Sequence, residues 1–289
     1  MASFSAKSLK ATITLGKGTF AGGGNQVILT GLRIVADIDK AGGISMGTAR
    51  FKIYGMRQVD MNQLTMLAFH PLTNPNNTIR IEATDDGITS VAYDGTIISA
   101  WAEYQAAPDV YLTMTAMTGY YASINPVTPT SFKGATDVAT IMSGLAAQMG
   151  FAFEGNGVSV SLSNPYLQGT ALEQARSVAR AANLDLYLDD KTLAITQKGV
   201  ARGTQAIPLI SKDTGLVGYP SFDRMGISFT CLYNPAILFG GLIKIQSAVT
   251  IANGQWRVVS VGHTLESEKP SGAWFSHIWC TDNVLTVSK

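Results

Sequence analysis

Residues 134–198 read GATDVATIMSGLAAQMGFAFEGNGVSVSLSNPYLQGTALEQARSVARAANLDLYLDDKTLAITQK, a helix pattern followed by a hairpin pattern, twice over. In the first copy, opening at Thr136, Val138, Ile141, Met142, Leu145 and Met149 recur three and four residues apart, one face of a 3.6-residue period. Gly150 can take positive φ and end that helix. Phe151 and Phe153 then alternate, Asn156-Gly157 turns, and Val158 and Val160 resume the alternation. The second copy opens at Thr170 with Glu173 three residues on, the spacing of a capping box. Leu172, Ala175, Ala179 and Ala182 line its inner face, and Asn183 stands where Gly150 stood. Leu184 and Leu186, the turn Asp189-Asp190-Lys191, and Leu193 and Ile195 complete a second hairpin. Two such units can bury their apolar faces together as a small α+β module.

Outward from this module the pattern is all β. Ala11, Ile13 and Leu15 alternate before a glycine-rich loop at 16–25. A phosphate cradle there would need a Gly-Lys-Ser/Thr ending and a following helix, and neither is present. Alternating strands follow through Val27 and Leu29, then Leu32 to Ile38, a turn at Gly42-Gly43, and Ala49 to Ile53. Asp60, with Gln63 in the reciprocal position, is expected to cap a short helix that packs Met61, Leu64 and Leu67 inward. Beyond the polar loop Asn74-Pro75-Asn76-Asn77, three strands are expected through Ile79 and Ile81, Val91 and Tyr93, and Ile97 to Trp101, with a turn at Asp85-Asp86-Gly87. A last strand runs from Val110 to Ala116, and Asn125-Pro126 and Thr128-Pro129 mark a linker. After Lys198 the stretch from Ile207-Pro208 to Pro220 is expected to be loop, and strands return at Ile227 to Cys231, Ile243 and Ile245, Trp256 and Val258, and Trp274 to Thr281, with a hairpin turn at Asn253-Gly254. The expected fold is mainly β with an α+β insert: a β-barrel domain over 1–127, the module over 128–200 and a second barrel or sandwich over 201–289.

Composition bears on function. Of the 289 residues, 14% are charged and 46% hydrophobic, against roughly 25% charged in an ordinary soluble protein. Two readings account for so few charges: burial of surface against partner subunits, or simply a β-rich, glycine-rich chain. A net charge of +1 supplies no global field for nucleic acid or anionic membrane. Apolar runs are too short for the ~18–20 residues of a membrane span, and Met1 to Lys10 lacks the apolar core of a signal peptide, so assembly in a cytoplasm without membrane insertion is expected.

Chemistry-bearing patterns are few. His70, His263 and His277 stand at no metal-ligand spacing with one another or with Cys231 and Cys280; zinc would require His263, His277 and Cys280 to meet across paired strands. The two cysteines alternate with apolar neighbours, which favours free buried thiols over a disulfide. Gly-x-Ser-x-Gly is absent, and nothing selects a pair of carboxylates for glycosidase chemistry. No catalytic, cofactor-binding or metal-ligating residue is therefore selected, and no cofactor is expected. Trp256, Trp274 and Trp279, with Tyr120-Tyr121, leave a carbohydrate- or receptor-binding module as the alternative to an assembly component, with a wall-degrading enzyme third.

The order of segments resembles the baseplate hub proteins of contractile-tailed bacteriophages, the Mu-like, late control protein D-like hubs. The resemblance is carried by Gly18-Thr19-Phe20, Asn25, Thr30-Gly31-Leu32-Arg33, Ala41-Gly42-Gly43, Tyr54-Gly55-Met56 and Asp60-Met61-Asn62-Gln63-Leu64 in the first part. In the last part it is carried by residues 213–220, Gly226-Ile227-Ser228-Phe229, Asn234-Pro235 and Gly254-Gln255-Trp256. The resemblance implies a structural, non-enzymatic subunit of a homotrimeric hollow ring, with two tail-tube-like barrels per chain giving six quasi-equivalent barrels. It further implies contacts with a tail tube or tube-initiator protein, a central spike, wedge proteins and a tape measure protein, with DNA only passing through on genome ejection, in the virion's tail baseplate.

Overall fold

The computed structural model describes residues 7–40, 45–65, 76–203 and 206–282. The expected turn at Gly42-Gly43 and the positions of Leu67, His70 and Asn74-Pro75 lie outside these residues. In the first part, β1 (Ser8–Thr14) and β2 (Gln26–Leu29) form a hairpin, followed by β3 (Ile34–Lys40), β4 (Thr48–Tyr54), helix α1 (Gln58–Leu64), β5 (Thr78–Asp85), β6 (Ile88–Glu103) and β7 (Tyr111–Met117). Alternation sets the inward faces: Leu9, Ala11 and Ile13 of β1, Ile34, Ala36 and Ile38 of β3, and Ala49, Phe51 and Ile53 of β4 meet in one core. The glycine-rich stretch closes on itself, Leu15 N–H donating to the Asn25 carbonyl and Phe20 N–H to that of Gly24, with the Phe20 ring buried beneath.

Two expectations are corrected here. The strands expected at Val91–Tyr93 and Ile97–Trp101 are one 16-residue strand, β6. Asp94-Gly95 interrupts the apolar alternation without ending it, because Gly95 lies under the Tyr93 ring, where any Cβ would collide. Asp60 does not cap α1; Arg57 occupies that position. The Asp60 carboxylate, buried in the first turn, accepts from the Arg57 guanidinium at 2.7 Å and from Ala21 N–H at 3.3 Å, tying the helix to the glycine-rich loop.

The module comprises α2 (Tyr120–Ile124), β8 (Thr130–Ser131), β9 (Ala135–Asp137), α3 (Val138–Met149), β10 (Ala152–Glu154), β11 (Ser161–Ser163), β12 (Tyr166–Leu167), α4 (Ala171–Ala181), β13 (Leu184–Asp189) and β14 (Thr192–Gln197). The capping box is complete, Glu173 N–H donating to Thr170 Oγ1 and Thr170 N–H to Glu173 Oε2. Gly150 and Asn183 both take positive φ after their helices. The second hairpin forms as β13–β14, but the first does not: β10 lies parallel to β14, and β11 pairs with β9. The Asn156-Gly157 turn does form, and its reason for leading elsewhere is the free β14 edge, to which Asn156 is pinned by a bond from Nδ2 to the Ile195 carbonyl. α3 and α4 pack over this three-stranded sheet in a core of their own.

The last part comprises β15 (Leu209–Ser211), β16 (Leu216–Phe222), β17 (Gly226–Leu232), β18 (Leu242–Gln246), β19 (Gly254–Glu266) and β20 (Trp274–Asp282). The loop expected from Ile207 to Pro220 is corrected by β15 and β16: Gly218, Pro220 and a bulge break the alternation of β16 without ending its pairing to β17. The β18–β19 hairpin exists, but its connection runs through Ser247 to Asn253 with a 3-10 turn at Thr250–Ala252, so Asn253-Gly254 is the end of a longer loop. Asn253 closes that loop by accepting from Ser247 N–H. Strands of the first and last parts make a single 13-stranded sheet in the order β16-β17-β20-β19-β3-β4-β7-β6-β5-β1-β2, with β18 and β15 branching from β19. Two cores lie along it, one lined by the first part and sealed by Tyr233, Leu265 and Trp274, the other lined by the last part and sealed by Tyr187 and Ala194 of the module.

Candidate functional site

Four stretches apart in sequence meet at one charged cluster. Lys40 ends β3, Asp189 and Asp190 form the β13–β14 turn, Glu154 ends β10, and Arg202 follows the module. Lys40 Nζ donates to Asp189 Oδ1 at 2.8 Å and to Asp190 Oδ2 at 2.7 Å. Arg202 Nη1 donates to Asp189 Oδ2 at 2.7 Å and to the Phe239 carbonyl at 3.3 Å, while its Nε reaches Glu154 Oε2 at 3.1 Å. Asp94 N–H on β6 donates to Asp190 Oδ1 at 3.1 Å. Burial alone would raise the Asp189 carboxyl, but Lys40 and Arg202 outweigh it and hold it below the usual range. Burial raises Asp190, and the charge of Asp189 adds to it. Chemically this is a clamp: each carboxylate oxygen named here accepts from a fixed donor, and the module is held against both parts of the sheet.

The second junction is the one where β19 runs beside β3. Residues 261–266 pair antiparallel with 40–35, so Val261 faces Lys40, His263 faces Ile38 and Thr264 faces Asp37. Its far end is fixed by Ile34 N–H to Ser267 Oγ, Ser267 N–H to the Ile34 carbonyl at 3.0 Å, and Arg33 to Glu266 at 2.8 Å. His263 is buried, within 2.9 Å of Ser276 Oγ through Nδ1 and edge-on to the Tyr233 ring. Burial, with the Lys40 ammonium adding to it, pushes this imidazole down to about 3.

The sheet contains an internal repeat that the sequence patterns did not reveal. In chain order and in space, β3-β4-β7-β6-β5 is matched by β16-β17-β20-β19-β18; a sixth strand lies beyond each, β1 antiparallel to β5 but β15 parallel to β18. Both copies carry a bulge at the same place, between Ile97 and Ser99 of β6 against β7 and between Val258 and Ser260 of β19 against β20. The neighbouring ladder starts one residue before each bulge, at Thr78↔Thr96 and Leu242↔Arg257. Aligned on the bulges, Trp101, Ala102 and Glu103 correspond to Gly262, His263 and Thr264. Through the paired strands, Ile38 then corresponds to Phe222, Asp37 to Ser221 and Lys40 to Arg224. Inward alternation is shared by both copies, as in Ala49, Phe51, Ile53 and Ile227, Phe229, Cys231, or Ile79, Ile81 and Ile243, Ile245.

The residues weighed for chemistry are dispersed. The register sets His263 opposite Ser276 and His277 opposite Gly262, on opposite faces of the sheet, so they do not meet. Cys231 and Cys280 are buried free thiols, Cys231 pushed up to about 12 by burial. Trp274 lies in the core, Trp256 Nε1 donates to the Ala252 carbonyl at 2.8 Å, and Trp279 Nε1 donates to Asp223 Oδ2 at 2.8 Å. They form no common platform, since Trp274 and Trp279 face opposite sides of β20. Asp85-Asp86-Gly87 is a hairpin turn with positive φ at Asp86 and Gly87. Among the described residues no group of three or more His, Cys, Asp or Glu side chains is placed to hold a metal ion, and no helix is long and apolar enough to cross a membrane.

Solved structures share this fold at low identity. The tail protein of Neisseria meningitidis MC58 matches with a TM-score of 0.62 at 11% identity, covering 96% of this chain and 97% of that one. The 43 kDa tail protein of prophage MuSo2 from Shewanella oneidensis matches with a TM-score of 0.59 at 10% identity, covering 96% and 97%. The E. coli c3393 protein, described as a type VI secretion component with structural similarity to T4 tail proteins gp27 and gp5, matches with a TM-score of 0.55 at 8% identity, covering 86% and 73%. No curated protein sequence matches the chain. The family described as baseplate hub gp41 matches residues 8–271, nearly the whole length. By that match the chain belongs to the baseplate hub gp41 family, and its role is a structural one in the phage tail baseplate.

Proposed function

We propose that the protein is the subunit of a trimeric, hollow hub in a contractile tail, joining a sixfold tail tube on one side to a threefold spike on the other. The observation that carries this reading is the repeated five-strand path within one chain, with its shared bulge. Two copies per subunit give three subunits six quasi-equivalent positions, which meets both symmetries at once. Each copy rolls into a tube-like barrel in this reading, with 1–127 and 201–289 as the barrel units and 128–200 as the module clamped outside them by Lys40, Asp189 and Arg202. Separate cores for the three parts support that division. Assembly takes place in the host cytoplasm, wedge and tape measure proteins are further neighbours, and the genome passes through the central channel during ejection. The subunit itself carries no enzymatic activity.

Light scattering paired with negative-stain images of one purified fraction tests this. Threefold rings with a central hole, at about three times the 30.6 kDa chain mass, are expected. A compact monomer at high concentration, with no ring after addition of a candidate spike protein, would overturn it.

A further inference from the structure

Among the described residues, the repeat leaves one place with a strand partner and its counterpart without one. In the last part, β19 pairs with β20 on one side; on the other it pairs first with β18 and then, beyond the bulge, with β3. In the first part, β6 pairs with β7 on one side and with β5 on the other, but the β5 ladder stops at Thr96. Among the described residues, Ala100 to Glu103 therefore have no backbone partner on the side where β19 has β3. Likewise β16, the counterpart of β3, pairs among the described residues with β17 alone and ends the sheet.

Neither vacant edge carries a lysine; on β16 Pro220 and the bulge before Ser221 block the earlier part of the strand, which leaves only its end at Ser221 and Phe222 open to pairing. Trp101 and Tyr104 are exposed beside the first, and Val217, Tyr219 and Phe222 stand out from the second, Tyr219 by 72%. An open groove of about 560 Å3, lined by Leu216, Gly218 and Tyr219 among others, borders β16.

We infer that the β6 edge of one subunit takes the β16 edge of a second copy of this chain, repeating between chains the β19–β3 junction made within each. The inference rests on the ring reading and names its interface. Copying the internal register across gives the contacts: antiparallel pairing with Trp101 facing Asp223, Ala102 facing Phe222 and Glu103 facing Ser221. The register is specified only at this end of β16, because the strand is bulged between Val217 and Ser221. The contact is head-to-tail, so it closes into a ring when the two junction types alternate at equal rotation. At this end, β3 and β16 then differ in whether their partner comes from the same chain.

Cysteine pairing tests the register, since facing residues in an antiparallel ladder lie within disulfide reach at about 4.5–5.5 Å between Cα atoms. Glu103→Cys and Ser221→Cys are made separately and co-expressed, then oxidised. A covalent dimer is expected only when both are present, and the double variant is expected to give species up to the covalent trimer on non-reducing gels. The offset pair Glu103→Cys with Val217→Cys is expected to cross-link at least tenfold less. Phe222→Asp is expected to lower the mass from trimer to monomer, a threefold fall, with an unchanged thermal melt. Wild-type rings that show neither the cross-link nor dissociation by Phe222→Asp would overturn the edge assignment and leave the hub reading standing. Wild-type protein that never leaves the monomer would overturn both.

Discussion

Ile38 and Phe222 hold corresponding places in the two halves of the sheet, one residue opposite Ala49 and the other opposite Ile227. Ile38 is 3% exposed and Phe222 is 49% exposed. The strands they sit on have the same neighbour on one side, and only β3 has one on the other. The contrast teaches that an apolar residue on a bare edge can mark where a neighbour belongs. The same holds for the charges: Lys40 is clamped by two carboxylates, while its counterpart Arg224 is exposed.

The largest effect is expected where that contrast is sharpest. Lys40→Met leaves Asp189 and Asp190 buried with one cation fewer, and should cost about 3–5 kcal/mol of folding stability. Arg224→Met should fall within about 0.5 kcal/mol of wild type. Chemical denaturation of the two variants at equal concentration checks both. If they proved equal, the clamp would not be what holds the module.

Ile38→Ala should cost about 2–5 kcal/mol, the range for truncating a buried aliphatic side chain. Phe222→Ala, measured at dilution below association, should again stay within about 0.5 kcal/mol. At concentrations where rings form, the Phe222 variant should lose association instead. A large cost for Phe222→Ala in the dissociated chain would mean that its surface is already covered within the subunit.

How much of this was legible beforehand follows from the range of each interaction. Strands in both halves were legible because inward alternation is local, as in Ala49-Arg50-Phe51-Lys52-Ile53. The capping box was legible for the same reason, all its atoms lying within one turn. β6 was misread as two strands because Asp94 and Gly95 look like a break, and only the Tyr93 ring above Gly95 explains them. The first hairpin of the module was misplaced because the edge that captures β10 belongs to β14, nearly forty residues on, as the Asn156 to Ile195 bond measures. Asp189-Asp190 reads in sequence only as a turn, since Lys40 lies 149 residues away. The repeat between halves was hidden because it resides in strand order and a shared bulge, with different residues at most outward positions.

His263 gives a pH-dependent version of the comparison, for its counterpart Ala102 cannot titrate. Its folded-state value lies near 3, against an unfolded value near 6.5. The neutral imidazole therefore contributes stability that is complete above about pH 6.5 and is lost as pH falls toward 3. Between pH 7 and pH 5 the loss should be about 2 kcal/mol. His263→Gln should flatten that slope in denaturation curves recorded at the two pH values. An unchanged slope would place the titration elsewhere.

The smallest effect concerns the module alone. Thr170→Ala removes the hydroxyl that accepts from Glu173 N–H and should cost about 1 kcal/mol. Thermal melts check this, and ring mass should not change, since α4 packs on α2, α3 and β13 within the module.

The most direct measurement is a cryo-electron reconstruction of the purified ring at a resolution that separates strands. The account predicts six seams around the channel, three of them β19 against β3 within a chain and three of them β6 against β16 between chains, with Ala102 facing Phe222. A ring in which β16 stays bare, or meets its neighbour through a surface other than β6, would contradict it.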